Sequence, residues 1–99
     1  MPTEYLIAIE EFCAQNDIEI SFISSLQKNG LLEIITRKEA GFIDPDQLRQ
    51  LEKFIRLYYE LDINLEGIET IMHLLQRITS MQDEIVALKN RLRLYEPNE

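Results

Sequence analysis

Ninety-nine residues, 45% of them apolar, suffice for one domain with a modest core and leave little room for a large enzyme cleft. The net charge of −8 is unevenly placed: residues 1–70 carry 14 acids and 6 bases, whereas residues 71–99 carry four of each. Such an acidic front part opposes a phosphate backbone, whose binding depends on Lys and Arg, and favours a basic protein surface.

Tyr5–Ala8 reads as a short extended lead-in. Ile9–Asn16 reads as a helix, because Ile9, Phe12 and Cys13 fall at i, i+3 and i+4, with Glu10 and Glu11 in the first turn where acids suit the dipole. Ile18 and Ile20 are expected to pack inward. A second helix follows, with Ser21 as N-cap, Phe22, Ile23 and Leu26 on its buried face, and Gly30 as the terminating glycine. Leu32–Thr36 is β-branched and reads as a strand, "RKEAG" as a turn, and Phe42–Ile43 as the return strand of a small hairpin. "DPDQ" starts a third helix: Asp44 caps, Pro45 takes the first position, and Gln47 is placed to close a capping box. The apolar face of that helix is Leu48, Leu51, Ile55 and Tyr58, flanked by Phe54, Leu57 and Leu61. "LDIN" breaks it, and Asn64 caps a new helix with Glu66 and Glu69 in its first turns.

The last helix carries the strongest periodicity. Ile71, Leu74, Ile78, Met81, Ile85, Leu88, Leu92 and Tyr95 are spaced alternately by three and four. A stripe so narrow is the seam of a coiled coil. Leu65–Tyr95 would span about 45 Å at 1.5 Å per residue, longer than the front part can cover. A second copy of the chain is the simplest partner, so these eight residues form the expected homodimer interface; the alternative is a helix folded back on its own head. Glu84 opposite Lys89 would suit a parallel pair. The chain thus reads as one mainly α domain in two parts, a head over residues 1–63 and a C-terminal helix over residues 64–95.

Little points to catalysis or to a metal. The one cysteine, Cys13, excludes an internal disulfide and sits on the apolar face of the first helix, where a packing role is expected. His73, the one histidine, has no Cys, Asp or second His at i+3 or i+4 and is read as a surface residue. There is no Gly-rich phosphate loop. The expectation is a non-enzyme without cofactor or metal. "MPTEYLIAIEEF" lacks the basic and apolar regions of a leader, and no stretch approaches membrane-spanning length, so a soluble cytoplasmic protein is expected.

The partner-binding candidates are acids of the head: Glu10 and Glu11 on the first helix, and Asp44, Asp46 and Glu52 around the start of the third. An apolar contact through Tyr58, Tyr59 or Phe42 is the alternative to charge. A basic stripe of Arg49, Lys53 and Arg56 could touch phosphate, but Glu52 and Glu60 stand four residues to either side of Arg56 and can absorb its charge. Arg37 and Lys38 are the other basic spot.

The order helix, helix ending in "NGLL", hairpin, "IDPDQL" helix, "INLEGI" helix and long coiled coil resembles the MerR-like winged helix-turn-helix family. The matching residues are Gly30-Leu31-Leu32, Leu48 and Leu51, and Asn64-Leu65-Glu66-Gly67-Ile68. DNA-binding members carry an arginine and aromatic residues before that Gly-Leu-Leu, where this chain has Ser24, Ser25 and Leu26; their wing carries a Tyr-Arg pair, where this chain has Ala40-Gly41. Within that superfamily, "IEEFC", "GLLEIIT" and "LEKFIRLYYELDINLEGIE" resemble the chaperone-modulator CbpM family. That resemblance implies a small bacterial cytoplasmic protein that binds and inhibits the J-domain of a CbpA/DnaJ-type co-chaperone, with no nucleic acid and no membrane. It also implies antiparallel pairing of the coiled coil. The other function open to the fold is a MerR-type transcription regulator, with DNA contacts from Arg37, Lys38, Arg49, Lys53 and Arg56.

Overall fold

The computed structural model describes residues 5–95. The chain divides into two compact units, the first ending at Glu69 and the second beginning at Thr70.

The first unit begins with strand β1 (Ile7–Ala8), which runs directly into helix α1 (Ile9–Asn16). The helix has the bounds its spacing predicts, with Ile9 and Cys13 buried and Phe12 half-buried. Asp17 ends it in the left-handed conformation, φ 54°, and the Ile18 amide closes back on the Cys13 carbonyl at 2.9 Å. Helix α2 (Ile20–Lys28) starts earlier than expected. Glu19, not Ser21, is its N-cap residue; the Ser21 hydroxyl donates to the Glu19 carboxylate instead. Ile20 thereby becomes the first helical residue and is half exposed rather than packed inward, while Ile18 is buried. Phe22, Ile23 and Leu26 form the buried face as predicted. Gly30 takes the left-handed position after the helix, φ 73°, and lets the Leu31 amide reach the Leu26 carbonyl at 2.9 Å.

The hairpin is shifted relative to its sequence signal. Its strands are β2 (Ile35–Arg37) and β3 (Ala40–Ile43), joined by a two-residue turn at Lys38 and Glu39. Leu32 precedes the strand and is core. Both turn residues have positive φ, 50° and 65°, the conformation in which hairpin turns prefer Asn and Gly. The sheet also has a third strand: β1 pairs antiparallel with β3 (Ile7 opposite Ile43), giving the order β1-β3-β2. Gly41 faces α1, where a Cβ would stand 2.9 Å from Ile9 Cδ1.

Asp44 caps the next element through its Oδ1, which accepts the Asp46 amide at 2.9 Å, and Pro45 opens a 3-10 turn (Pro45–Gln47). Gln47 closes no capping box; its side chain bonds both backbone groups of Glu33. Helix α3 (Leu48–Ile55) follows and passes into a π turn (Arg56–Glu60). Phe54, expected on the flank, is fully buried with Leu51, whereas Tyr58 and Leu61 are exposed. Leu51 and Phe54, three residues apart, are thus the side chains of α3 that enter the core. Helix α4 (Leu65–Tyr95) is capped as predicted, with Asn64 Oδ1 accepting the Gly67 amide at 2.8 Å.

The core consists of apolar side chains from α1, α2, β3, α3 and the start of α4, including Ile9, Cys13, Ile23, Leu26, Ile43, Leu51, Phe54 and Ile68, joined by Leu6, Ile18 and Leu32 from the segments that flank these elements. Among the described residues no polar or charged side chain is buried. Each large side chain removed from water contributes about 1.5–3 kcal/mol.

In the second unit, α4 from His73 to Tyr95 is exposed at every residue. The stripe from Leu74 to Leu92 lies along one side, each of its large apolar residues about half exposed. Among the described residues no helix is long and apolar enough to cross a membrane. The architecture is the mainly α, winged helix-turn-helix head with a long C-terminal helix expected from the sequence.

Candidate functional site

The five candidate acids fall on different parts of the head. Glu10 shares the α1 face that carries Cys13, Ala14 and Asp17, and lines a groove closed on its other side by Ile18, Glu19, Ile20 and Ser21. The groove has an apolar floor with half-exposed Ile20, three carboxylates (Glu10, Asp17, Glu19) and no lysine or arginine in its lining. Glu52 instead lines a second groove, between α1 and α3, with Phe12, Asn16, Leu48, Ile55, Arg56 and Glu60. Glu11 is exposed on α1 and lines neither groove. Asp44 is half-buried with one carboxylate oxygen engaged by the Asp46 amide, and Asp46 is exposed beside it.

The structure therefore joins Glu10 not to Asp44, Asp46 and Glu52 but to Asp17 and Glu19. Sequence spacing held half of this signal, since Glu10, Cys13, Ala14 and Asp17 follow i, i+3, i+4, i+7. Glu19 could not be found that way, because it reaches the groove from the turn before α2.

The basic residues of the head are spread over α3, its π turn and the wing. Arg49 and Lys53 are exposed on α3. Arg56 pairs with Glu60 at 3.6 Å, one turn later, at the open surface. Arg37 turns back on the wing, its guanidinium donating to the Thr36 carbonyl at 3.2 Å. Ser24 and Ser25 are half-buried, and the Ser25 carbonyl accepts both the amide and the side chain of Asn29. Of the wing pair Ala40-Gly41, only position 40 is open to solvent.

Cys13 is buried at the floor of the first groove, and burial pushes its thiol pKa up, away from the reactive thiolate. His73 is exposed. Among the described residues no group of three His, Cys, Asp or Glu side chains is placed to hold a metal ion. The seam candidates Leu74, Ile78, Met81, Ile85, Leu88 and Leu92 are about half exposed, Tyr95 more so, and Ile71 is half-buried.

Comparison with known proteins bears on this arrangement. The family model described as MerR HTH family regulatory protein matches residues 7–90. Curated relatives include chaperone modulatory proteins CbpM from two strains of Pseudomonas putida, 27% and 26% identical over 81 residues, and from Pseudomonas entomophila, 24% identical over the same length. Each match covers 81% of this chain and 80% of the relative. No solved structure matches significantly. The resemblance read from the sequence is borne out.

Proposed function

The chain belongs to the MerR HTH family of regulatory proteins, and we propose that it is a chaperone modulator: it binds the J-domain of a CbpA/DnaJ-type co-chaperone and restrains it by protein contact, without catalysis. The observation that carries this reading is the groove framed by Glu10, Asp17 and Glu19 over an apolar floor. A basic amphipathic helix fits such a surface, its apolar side on half-exposed Ile20 and its cations toward the three carboxylates. Long-range attraction from residues 1–70, with 14 acids and 6 bases, would speed the encounter. Glu11, Asp44, Asp46 and Glu52 act here as outer charges that steer rather than hold. The stripe on α4 pairs two copies, so that each dimer presents two heads.

The test is titration of a labelled J-domain with the intact protein at about 50 mM and about 500 mM salt, which screen charge to different extents. Binding should weaken at high salt, and charge reversal of Glu10, Asp17 and Glu19 together should abolish it while circular dichroism stays native. Equal affinity at both salt concentrations would sink the charge-based mechanism.

The family's DNA-binding function is the second reading, and the exposure of Arg49 and Lys53 on α3 is the observation in its favour. Mobility shifts at low salt decide it: no complex is expected at micromolar protein, and sequence-selective binding there would replace the modulator reading.

A further inference from the structure

Three aromatic rings cluster beside the start of α2 and take no part in the acidic groove. Phe22 is buried, and its ring centroid lies 4.5 Å from that of Tyr58 and 5.3 Å from that of Tyr59. Tyr58 and Tyr59 meet edge to face at 5.1 Å, and each keeps more than a third of its surface exposed. On an α-helix two consecutive side chains diverge by about 100°. The wider π turn at Arg56–Glu60 reduces that divergence, so both rings reach Phe22. Such single π turns often accompany functional sites.

The backbone then reverses. The Leu61 amide bonds the Arg56 carbonyl, the Ile63 amide bonds the Leu57 carbonyl at 2.9 Å, and Asp62 takes the left-handed position, φ 55°. This reversal sets Asp62 beside the two tyrosines, in one groove lined by Tyr58, Tyr59, Asp62, Ile63 and Asn64. At the far edge, Tyr59 Oη accepts the Glu19 amide at 3.2 Å, so a second acidic residue borders the rings. No lysine or arginine lines the groove.

We propose that this groove receives one arginine or lysine side chain from a basic protein partner. Tyrosine ring faces attract a cation through their quadrupole, and the Asp62 carboxylate supplies a charge-assisted hydrogen bond. An apolar occupant fits worse, because it would strip water from Asp62 without replacing its hydrogen bonds. A nucleobase fits worse as well, because its phosphates would face Asp62 and Glu19. The inference deepens the reading of the head as a binder of basic protein surface and rests on it. Glu19 belongs to the acidic groove and borders the tyrosine groove, so a partner helix can occupy both.

The test uses the intact protein and a helical peptide carrying one row of arginines, compared with the same peptide in which citrulline, neutral and nearly isosteric, replaces arginine. Proton NMR follows the Tyr58 and Tyr59 rings. The arginine peptide should shift both ring systems and the citrulline peptide should not. Tyr58→Leu and Asp62→Asn should each weaken binding about three- to fivefold, while Tyr58→Phe, which keeps the ring face, should bind as the parent does. Asn tolerates the left-handed backbone, so Asp62→Asn removes charge without strain and decides the matter even if Tyr58→Leu disturbs the fold. Equal ring shifts with the citrulline peptide would overturn the proposal, as would parental affinity in Asp62→Asn. The J-domain is absent from this assay: failure of the J-domain titration with arginine-dependent ring shifts intact would remove the partner assignment and uphold the groove.

Discussion

Gln47 and Glu33 are joined by a reciprocal pair of hydrogen bonds: Gln47 Oε1 accepts the Glu33 amide at 2.9 Å, and Gln47 Nε2 donates to the Glu33 carbonyl at 2.8 Å. A side-chain amide here substitutes for a strand neighbour and ties the start of α3 to the segment leading into the wing. Each neutral bond contributes about 0.5–1.5 kcal/mol. Gln47→Ala should therefore cost about 1–2 kcal/mol in urea unfolding, and Gln47→Glu should also destabilise, because a carboxylate cannot donate to the Glu33 carbonyl.

Phe54 and Ile20 form a contrasting pair, one fully buried and the other half exposed. Phe54→Ala should lose about 3–5 kcal/mol. Ile20→Ala should change stability by no more than about 0.5 kcal/mol, as surface substitutions do, yet weaken J-domain binding through the loss of groove floor. Chemical denaturation of both variants checks the assignment; similar losses for the two would contradict it.

The stripe from Ile71 to Tyr95 predicts a concentration-dependent dimer. Ile78→Asp with Ile85→Asp would place unpaired carboxylates in the seam. Analytical sedimentation should then give a monomer whose head retains its near-ultraviolet dichroism. A dimer mass that survives both substitutions would rule out this seam.

Burial raises the Cys13 thiol pKa above its ordinary value. A group raised on folding contributes stability that is full below the unfolded pKa and is lost as pH climbs through the folded one. Between about pH 7 and about pH 10, either side of an ordinary thiol, the parent should therefore lose more stability than Cys13→Ala does. Native protein should also react with a thiol reagent only after addition of denaturant; prompt labelling would show an accessible thiolate.

Local chemistry was legible in the sequence where one element decides it. The spacing of Ile9, Phe12 and Cys13 marked α1, Gly30 marked the end of α2, and Asn64 marked the cap of α4. What was lost depends on partners far along the chain. β1 has two residues, too few for a period, and exists because β3 pairs with it. The Lys38–Glu39 turn lacks the Asn or Gly that usually announces such a turn, so residue types alone do not fix where the strands meet. Ser21 has the hydroxyl that favours a cap, whereas α2 starts from Glu19 with no side-chain cap bond. The grooves were invisible for a simpler reason: Glu10 and Glu19, or Tyr59 and Asp62, meet across turns that sequence spacing does not encode.

β3 sits at the centre of the sheet although it is last of the three strands in the chain, and this orders events during synthesis. Ile7 and Ala8 emerge from the ribosome early, but their partners Ile43 and Phe42 emerge only after both first helices and the wing turn. α1 and α2 can form and pair while the backbone groups of β1 are still hydrated. The sheet is complete only when β3 is available to pair with both β2 and β1. A pause in translation that keeps β3 inside the ribosome after both helices have emerged would thus hold a nascent helical pair with an unfilled strand slot, a species open to pairing with the wrong chain.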